Sequence, residues 1–151
     1  MLTKATRLRK HADYQRVYGS ARKQFAKQMS YFFSLRATTG ADGKPLRVAD
    51  PMSPRVGLTV GKVMGKAVDR NRIKRRMREA VRRNLGLLPQ SVDVVLHPRR
   101  SVMELEFAAL DREVAGVFRT VERLVRREQR QREPAEVESS IHILPPGSKA
   151  L

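Results

Sequence analysis

The chain has 151 residues, 40% hydrophobic and 31% charged, with 32 Lys and Arg against 15 Asp and Glu and a formal net charge of +17. That length fits one domain with a modest core, and so large a positive excess calls for a polyanionic partner, nucleic acid before membrane. The absence of cysteine excludes a disulfide framework, a zinc ribbon and a thiol nucleophile.

The N-terminal residues "MLTKATRLRKHADYQRVY" carry no apolar h-region, and the longest apolar runs, such as "YFFSL" at 31–35, are too short to span a bilayer. A soluble cytoplasmic protein is expected, with no membrane and no small-molecule ligand. Leu8, Ala12, Tyr14, Val17 and Tyr18 fall at helical spacing, which predicts a short helix from Ala12 to Tyr18 ending at Gly19. "MSYFFSLRA", 29–37, alternates and is rich in aromatics, as a strand is. Residues 40–54, with two Gly and three Pro, read as a loop in which "LRV" is a candidate hairpin arm.

"RVGLTV", 55–60, is a second strand, and "GKVMGKA" a turn. A basic helix follows over 68–85, with Gly86 at its C-terminal cap and Pro89 blocking continuation. The continuous apolar run "VDVVLHP", 92–98, predicts a buried central strand. The longest helical pattern covers 104–129, with Phe107, Leu110, Val114, Val117, Phe118, Val121, Leu124 and Val125 on one face and a candidate capping box from Ser101 to Glu104. Residues 1–129 make one domain, and from Arg130 to residue 151 a disordered tail is expected. The class is α+β, one sheet covered by helices, with 55–98 laid out as a crossover unit.

Chemistry concentrates in "DRNRIKRRMREAVRRN", 69–84. At 100° per residue Ile73, Met77, Ala80, Val81 and Asn84 share one side, while Arg72, Arg75, Arg78 and Arg82 share the other, with Lys74 and Arg76 on the flanks. A disordered tract does not keep that separation, and a solvated face normally mixes signs. The arginine face suits phosphate, which a planar guanidinium grips with two N–H groups. Tyr14 and Tyr18, four apart on the first helix, are either core residues or a stacking platform rimmed by Arg7, Arg9, Lys10, Arg16 and Arg22. Phe32 belongs to the same platform if strand alternation puts Tyr31 and Phe33 on the opposite side.

Other signals fail. "GKVMGKA" has three residues between its glycines and Ala67 after the lysine, so it is no phosphate loop of the Walker type, although Lys62 and Lys66 can still touch phosphate. His11, His97 and His142 lack metal-ligand spacing, His97 reading as structural, and Glu104 and Glu106 form no catalytic pair.

"RVGLTVGKVMGKAVDRNRIKRRMREAVRRN", 55–84, resembles the protein subunits of bacterial ribonuclease P, whose hallmark is an "RNR" helix, here Arg70, Asn71 and Arg72. "RLRKHADYQRVY", "DVVLHPRR" and the long last helix extend the resemblance over residues 7 to 127. It implies an αβββαβα sandwich with a left-handed crossover, related to a ribosomal-protein domain. It also implies that a large RNA with bound magnesium is the catalyst. The small basic protein has no cofactor of its own and helps bind precursor tRNA through its single-stranded 5′ leader. The holoenzyme hydrolyses one phosphodiester to leave a mature 5′-phosphate.

By position, the resemblance implies that Arg70, Asn71, Arg72, Lys74, Arg75, Arg78 and Arg82, with Lys62 and Lys66 before them, face the catalytic RNA. Tyr14, Tyr18, Phe32, Thr59, Arg99 and Arg100 are implied for the leader. The family often has two successive lysines before the helix where this chain has Lys62-Val63. Alternatives are a ribosomal or RNA-chaperone protein of the same fold, a DNA-binding protein using 68–85 as a recognition helix, and a protein-only nuclease, which the missing carboxylate or histidine cluster disfavours.

Overall fold

The computed structural model describes residues 6–20, 22–36 and 52–143, without the side chains of 20, 22 and 132–143. The elements run α1 (His11–Ser20), β1 (Arg22–Phe25), β2 (Met29–Leu35), β3 (Arg55–Leu58), α2 (Ala67–Asn84), β4 (Val92–Pro98) and α3 (Phe107–Ile143). This is the αβββαβα order. The sheet order is β1-β2-β4-β3, antiparallel except for the parallel β3–β4 pair that α2 joins.

Strand alternation sorts the side chains onto two faces. Met29, Tyr31 and Phe33 of β2, Val56 of β3, and Val92, Val94 and Leu96 of β4 are buried in the main core with Ile73, Met77, Ala80 and Val81 of α2 and Leu110, Val114, Phe118 and Val121 of α3. The other face carries Ser30, Phe32 and Ser34, then Asp93, Val95 and His97, with α1 against it. Here Leu8, Val17 and Val95 make a second, small core beside Tyr14 and Phe32. Both faces of β4 are covered, which is why its sequence reads as an unbroken apolar run.

In α2, like charges three and four apart each cost a few tenths of a kcal/mol. Burying Ile73, Met77 and Val81 completely returns roughly 1.5–3 kcal/mol per large side chain. Packing, not charge balance, therefore holds the basic stretch helical.

One polar knot sits on the α1 face. The Asp93 side chain is 1% exposed. Its Oδ1 accepts from Arg36 Nη1 at 2.5 Å and Arg55 Nε at 2.9 Å, and its Oδ2 accepts from Arg55 Nη2 at 2.8 Å and Arg16 Nη2 at 3.0 Å. Asp13 of α1 pairs with Arg16 and Arg55 at 3.2 and 3.4 Å. The carboxylate of Asp93 raises the pKa of Arg55 chiefly through its hydrogen bond.

Several boundaries differ from the sequence reading. β1, with three polar residues in four, gives no alternation signal and is defined only by pairing with β2. α1 runs through Gly19, and Gly86 lies inside a 3₁₀ turn, Leu85–Leu87, rather than capping α2. Ser101 does not cap α3: its hydroxyl donates to Gln28 Oε1, a 3₁₀ turn covers Arg100–Met103, and the helix starts at Phe107. α3 continues to Ile143, past the end of the apolar pattern, and buries no described side chain after Val125. The "LRV" arm and most of the 40–54 loop lie outside the described residues.

Replacing Asp93 by Ala removes the carboxylate that, among the described residues, reaches all three arginines, and with it the buried ion pair to Arg36, whose side chain is 2% exposed. The expected loss is about 3–5 kcal/mol, read from the urea unfolding midpoint.

Candidate nucleic-acid interface

α1 covers only part of its sheet face, and the uncovered part is aromatic. Tyr18, 38% exposed, packs edge-on to Phe32 with ring centroids 5.0 Å apart. His97 lies 5.7 Å from Tyr18 and 5.4 Å from Phe32 by the same measure. The Tyr18 hydroxyl is 2.9 Å from His97 Nε2 and 3.1 Å from Thr59 Oγ1. On the edge strand β1, Lys23 Nζ sits 5.2 Å from the Phe25 centroid and 6.0 Å from that of Phe32. Phe25 itself is 69% exposed. Exposed π-faces beside a cation can stack successive bases and hold their phosphates.

Tyr14 behaves differently. It is half-buried, its hydroxyl donates to Leu8 O at 3.3 Å, and burial pushes its pKa up. Its ring lies over Gly57, where an added Cβ would come within 2.4 Å of the Tyr14 hydroxyl oxygen. Only glycine leaves that space. Tyr14 is also 6.5 Å from Tyr18 by ring centroid. It forms the wall between the aromatic cleft and a basic cavity of about 290 Å³ lined by Arg7, Arg9, Lys74 and Arg78 with Gly57 and Leu58.

That cavity joins two surfaces that the sequence reading kept apart. Lys74 and Arg78, four apart on α2, open toward the N-terminal segment and β3. Arg72 and Arg75 line the other flank of the helix, toward α3. Asn71, Arg72, Arg75, Arg78 and Arg82 are exposed, while Arg70 and Lys74 are half-buried. Arg82 is tied to Glu79 by contacts of 2.6 and 3.0 Å, which raise its pKa and lower that of Glu79. Lys62 sits in a 3₁₀ turn, Lys62–Met64, and Lys66 at the N-terminal cap of α2, both exposed. Between them Gly65 has φ +122°, a conformation that favours glycine and turns the chain into the helix. Val63, next to Lys62 in that turn, is 88% exposed, so an apolar side chain faces solvent there.

Arg99 and Arg100 follow β4 and are exposed, and the Arg99 N–H donates to Gln28 O in the β1–β2 turn at 2.9 Å. Thus Tyr18, Phe32 and Thr59 meet directly, Tyr14 stands beside them, and the arginine pair lies beyond the end of the same strand as His97. Arg16, read as part of the rim, is instead engaged with Asp13 and Asp93. Arg76 donates to Met103 O and Leu105 O and anchors α2 to the segment before α3. His97, read from the sequence as structural, stands in this cleft together with Lys23 and Phe25, which the sequence reading did not single out. Alternation along β4 from Asp93 could have found His97, whereas the other two depend on the unrecognised β1. Among the described residues no group of three His, Asp or Glu could hold a metal ion.

His97 has its pKa lowered, first by burial and then by the Lys23 cation. The folded protein therefore binds that proton more weakly than the unfolded chain. The stability from neutral His97 is complete above the ordinary histidine value of about 6.5 and is lost as pH falls through the lowered folded value. Thermal melting should accordingly fall less between about pH 7 and pH 5 in His97→Gln than in the parent protein.

A family model described as Ribonuclease P matches residues 2–122. The ribonuclease P protein component of Syntrophus aciditrophicus is 33% identical over 121 residues, 80% of this chain and 90% of the relative. The corresponding protein of Thermotoga maritima is 33% identical over 109 residues, 72% of this chain and 81% of the relative. The solved structure of the RNase P protein from Thermotoga maritima matches with a TM-score of 0.60 at 25% identity, covering 77% of this chain and 97% of that one. Strand order, basic helix and sequence agree: the chain belongs to the ribonuclease P protein family.

Proposed function

We propose that this protein is the non-catalytic subunit of a cytoplasmic ribonuclease P, docking through α2 on a catalytic RNA while its aromatic cleft holds the 5′ leader of precursor tRNA. One observation carries the reading. An arginine ridge and an aromatic cleft occupy adjoining surfaces with a basic cavity between them, so one small protein can grip two RNA segments at once. The ridge offers mainly guanidinium groups to phosphate, contacts that give affinity without sequence information. The cleft offers rings for unpaired bases, which a single-stranded leader supplies one after another along its length.

In this reading the phosphodiester is hydrolysed at magnesium ions held by the RNA. The protein positions substrate and screens phosphate repulsion. A ribosomal or RNA-chaperone role on the same fold would use the ridge without requiring leader recognition.

Reconstitution tests the assignment. The protein alone should leave precursor tRNA intact, and addition of the catalytic RNA encoded in the same genome with magnesium should give cleavage that the protein stimulates at limiting magnesium. Cleavage by the protein without RNA, or no stimulation, would sink the reading. Within the holoenzyme, Tyr18→Ala should weaken leader-bearing tRNA by about 1–3 kcal/mol and leave mature tRNA unchanged, as measured by equilibrium binding. Equal losses for both substrates would remove the leader from the cleft.

A further inference from the structure

On the α3 side of α2 lies an aromatic ring that neither surface above includes. Phe107, the first residue of α3, is half-buried and lines an open cavity of about 390 Å³ together with Arg72, Arg75, Arg76 and Glu79. The Arg83 guanidinium carbon is 5.9 Å from its ring centroid, while Arg83 Nε pairs with Asp111 at 3.3 Å. Arg76 uses its two terminal nitrogens on the carbonyls of Met103 and Leu105, and its buried Nε has no partner among the described residues. The carboxylate of Glu79 is already engaged on both oxygens by Arg82.

The cavity thus combines a flat ring with three arginines, of which Arg76 is committed to backbone carbonyls while Arg72 and Arg75 are exposed. An aliphatic partner side chain would need the apolar surface but not the cations, and an isolated phosphate would need the cations but not the ring. An unpaired nucleotide needs both: its base stacks on the aromatic and guanidinium planes while its phosphates meet the exposed arginines. Position on the helix supports this. Arg72 and Arg75 line this cavity, whereas Lys74 and Arg78 line the basic cavity on the opposite flank. An RNA strand lying along α2 can reach both.

We propose that the Phe107 cavity receives one unpaired nucleobase of the RNA bound along α2, stacked on the Phe107 ring with its phosphates on Arg72 and Arg75. This rests on the reading that α2 docks on the catalytic RNA. It adds an anchor that depends on base stacking rather than charge.

The test uses full-length protein and the ribonuclease P RNA encoded in the same genome. Phe107→Leu keeps apolar volume against the core but removes the ring, and Phe107→Tyr keeps the ring. The expected result is about tenfold weaker binding of that RNA by Phe107→Leu, with Phe107→Tyr unchanged and both variants folded by circular dichroism. A benzophenone amino acid placed at position 107 should cross-link to a single unpaired nucleotide of that RNA. Parental affinity in Phe107→Leu, equal losses in both variants, or a cross-link to precursor tRNA or to protein instead overturns the cavity assignment and leaves the docking of α2 intact. Failure of the parent protein to bind that RNA overturns both.

Discussion

The arrangement of this protein depends on a buried carboxylate. Asp93 projects from the central strand to the face opposite the main core and is reached by arginines from α1, from the end of β2 and from β3. The helix has little apolar area with which to seat itself, since among its described side chains Val17 alone is buried, in the small second core with Leu8 and Val95. Burying charge is costly, and a buried ion pair is no guarantee of net stability. Its value here is directional. Three guanidinium groups converge on two oxygens, and few placements of α1 satisfy them together.

The rest of that face follows from strand alternation. One step of two along β4 from Asp93 brings Val95, against which Val17 packs, and another brings His97, which Tyr18 reaches. β3 and the residue that follows it supply the matching series Arg55, Gly57 and Thr59: an ion pair, an open place for the Tyr14 ring, and a hydroxyl for Tyr18. Structural charge, apolar contact and the exposed aromatic group therefore succeed one another along a single helix. The aromatic cleft is held in place by the knot at the other end of α1.

α2 solves a different problem. Its arginines repel one another, and among the described residues the one ion pair within the helix joins Glu79 to Arg82. The helix persists because its opposite side is driven fully into the core. The energy of that burial keeps the charged side presented to solvent and phosphate. At its C-terminal end Asn84 and Arg83 reach Asp111 of α3, so the arginine ridge has a fixed orientation relative to both aromatic sites.

The sequence by itself determined the helices, the buried strand β4 and the arginine face of α2, because hydrophobic period is a local property that survives without the fold. It also supplied the family, through Arg70-Asn71-Arg72 after a strand and turn. Only the tertiary structure decided which cations are committed. Arg16, Arg36, Arg55 and Arg76 look like the exposed arginines in sequence, yet they bond to Asp93 or to backbone carbonyls far along the chain. It likewise separated Tyr14 from Tyr18, one set against Gly57 and the other beside His97. It also exposed β1, whose four residues become a strand only by pairing with β2. In each case the deciding partner is distant in sequence, and burial or charge pairing across the fold has no period from which to read it.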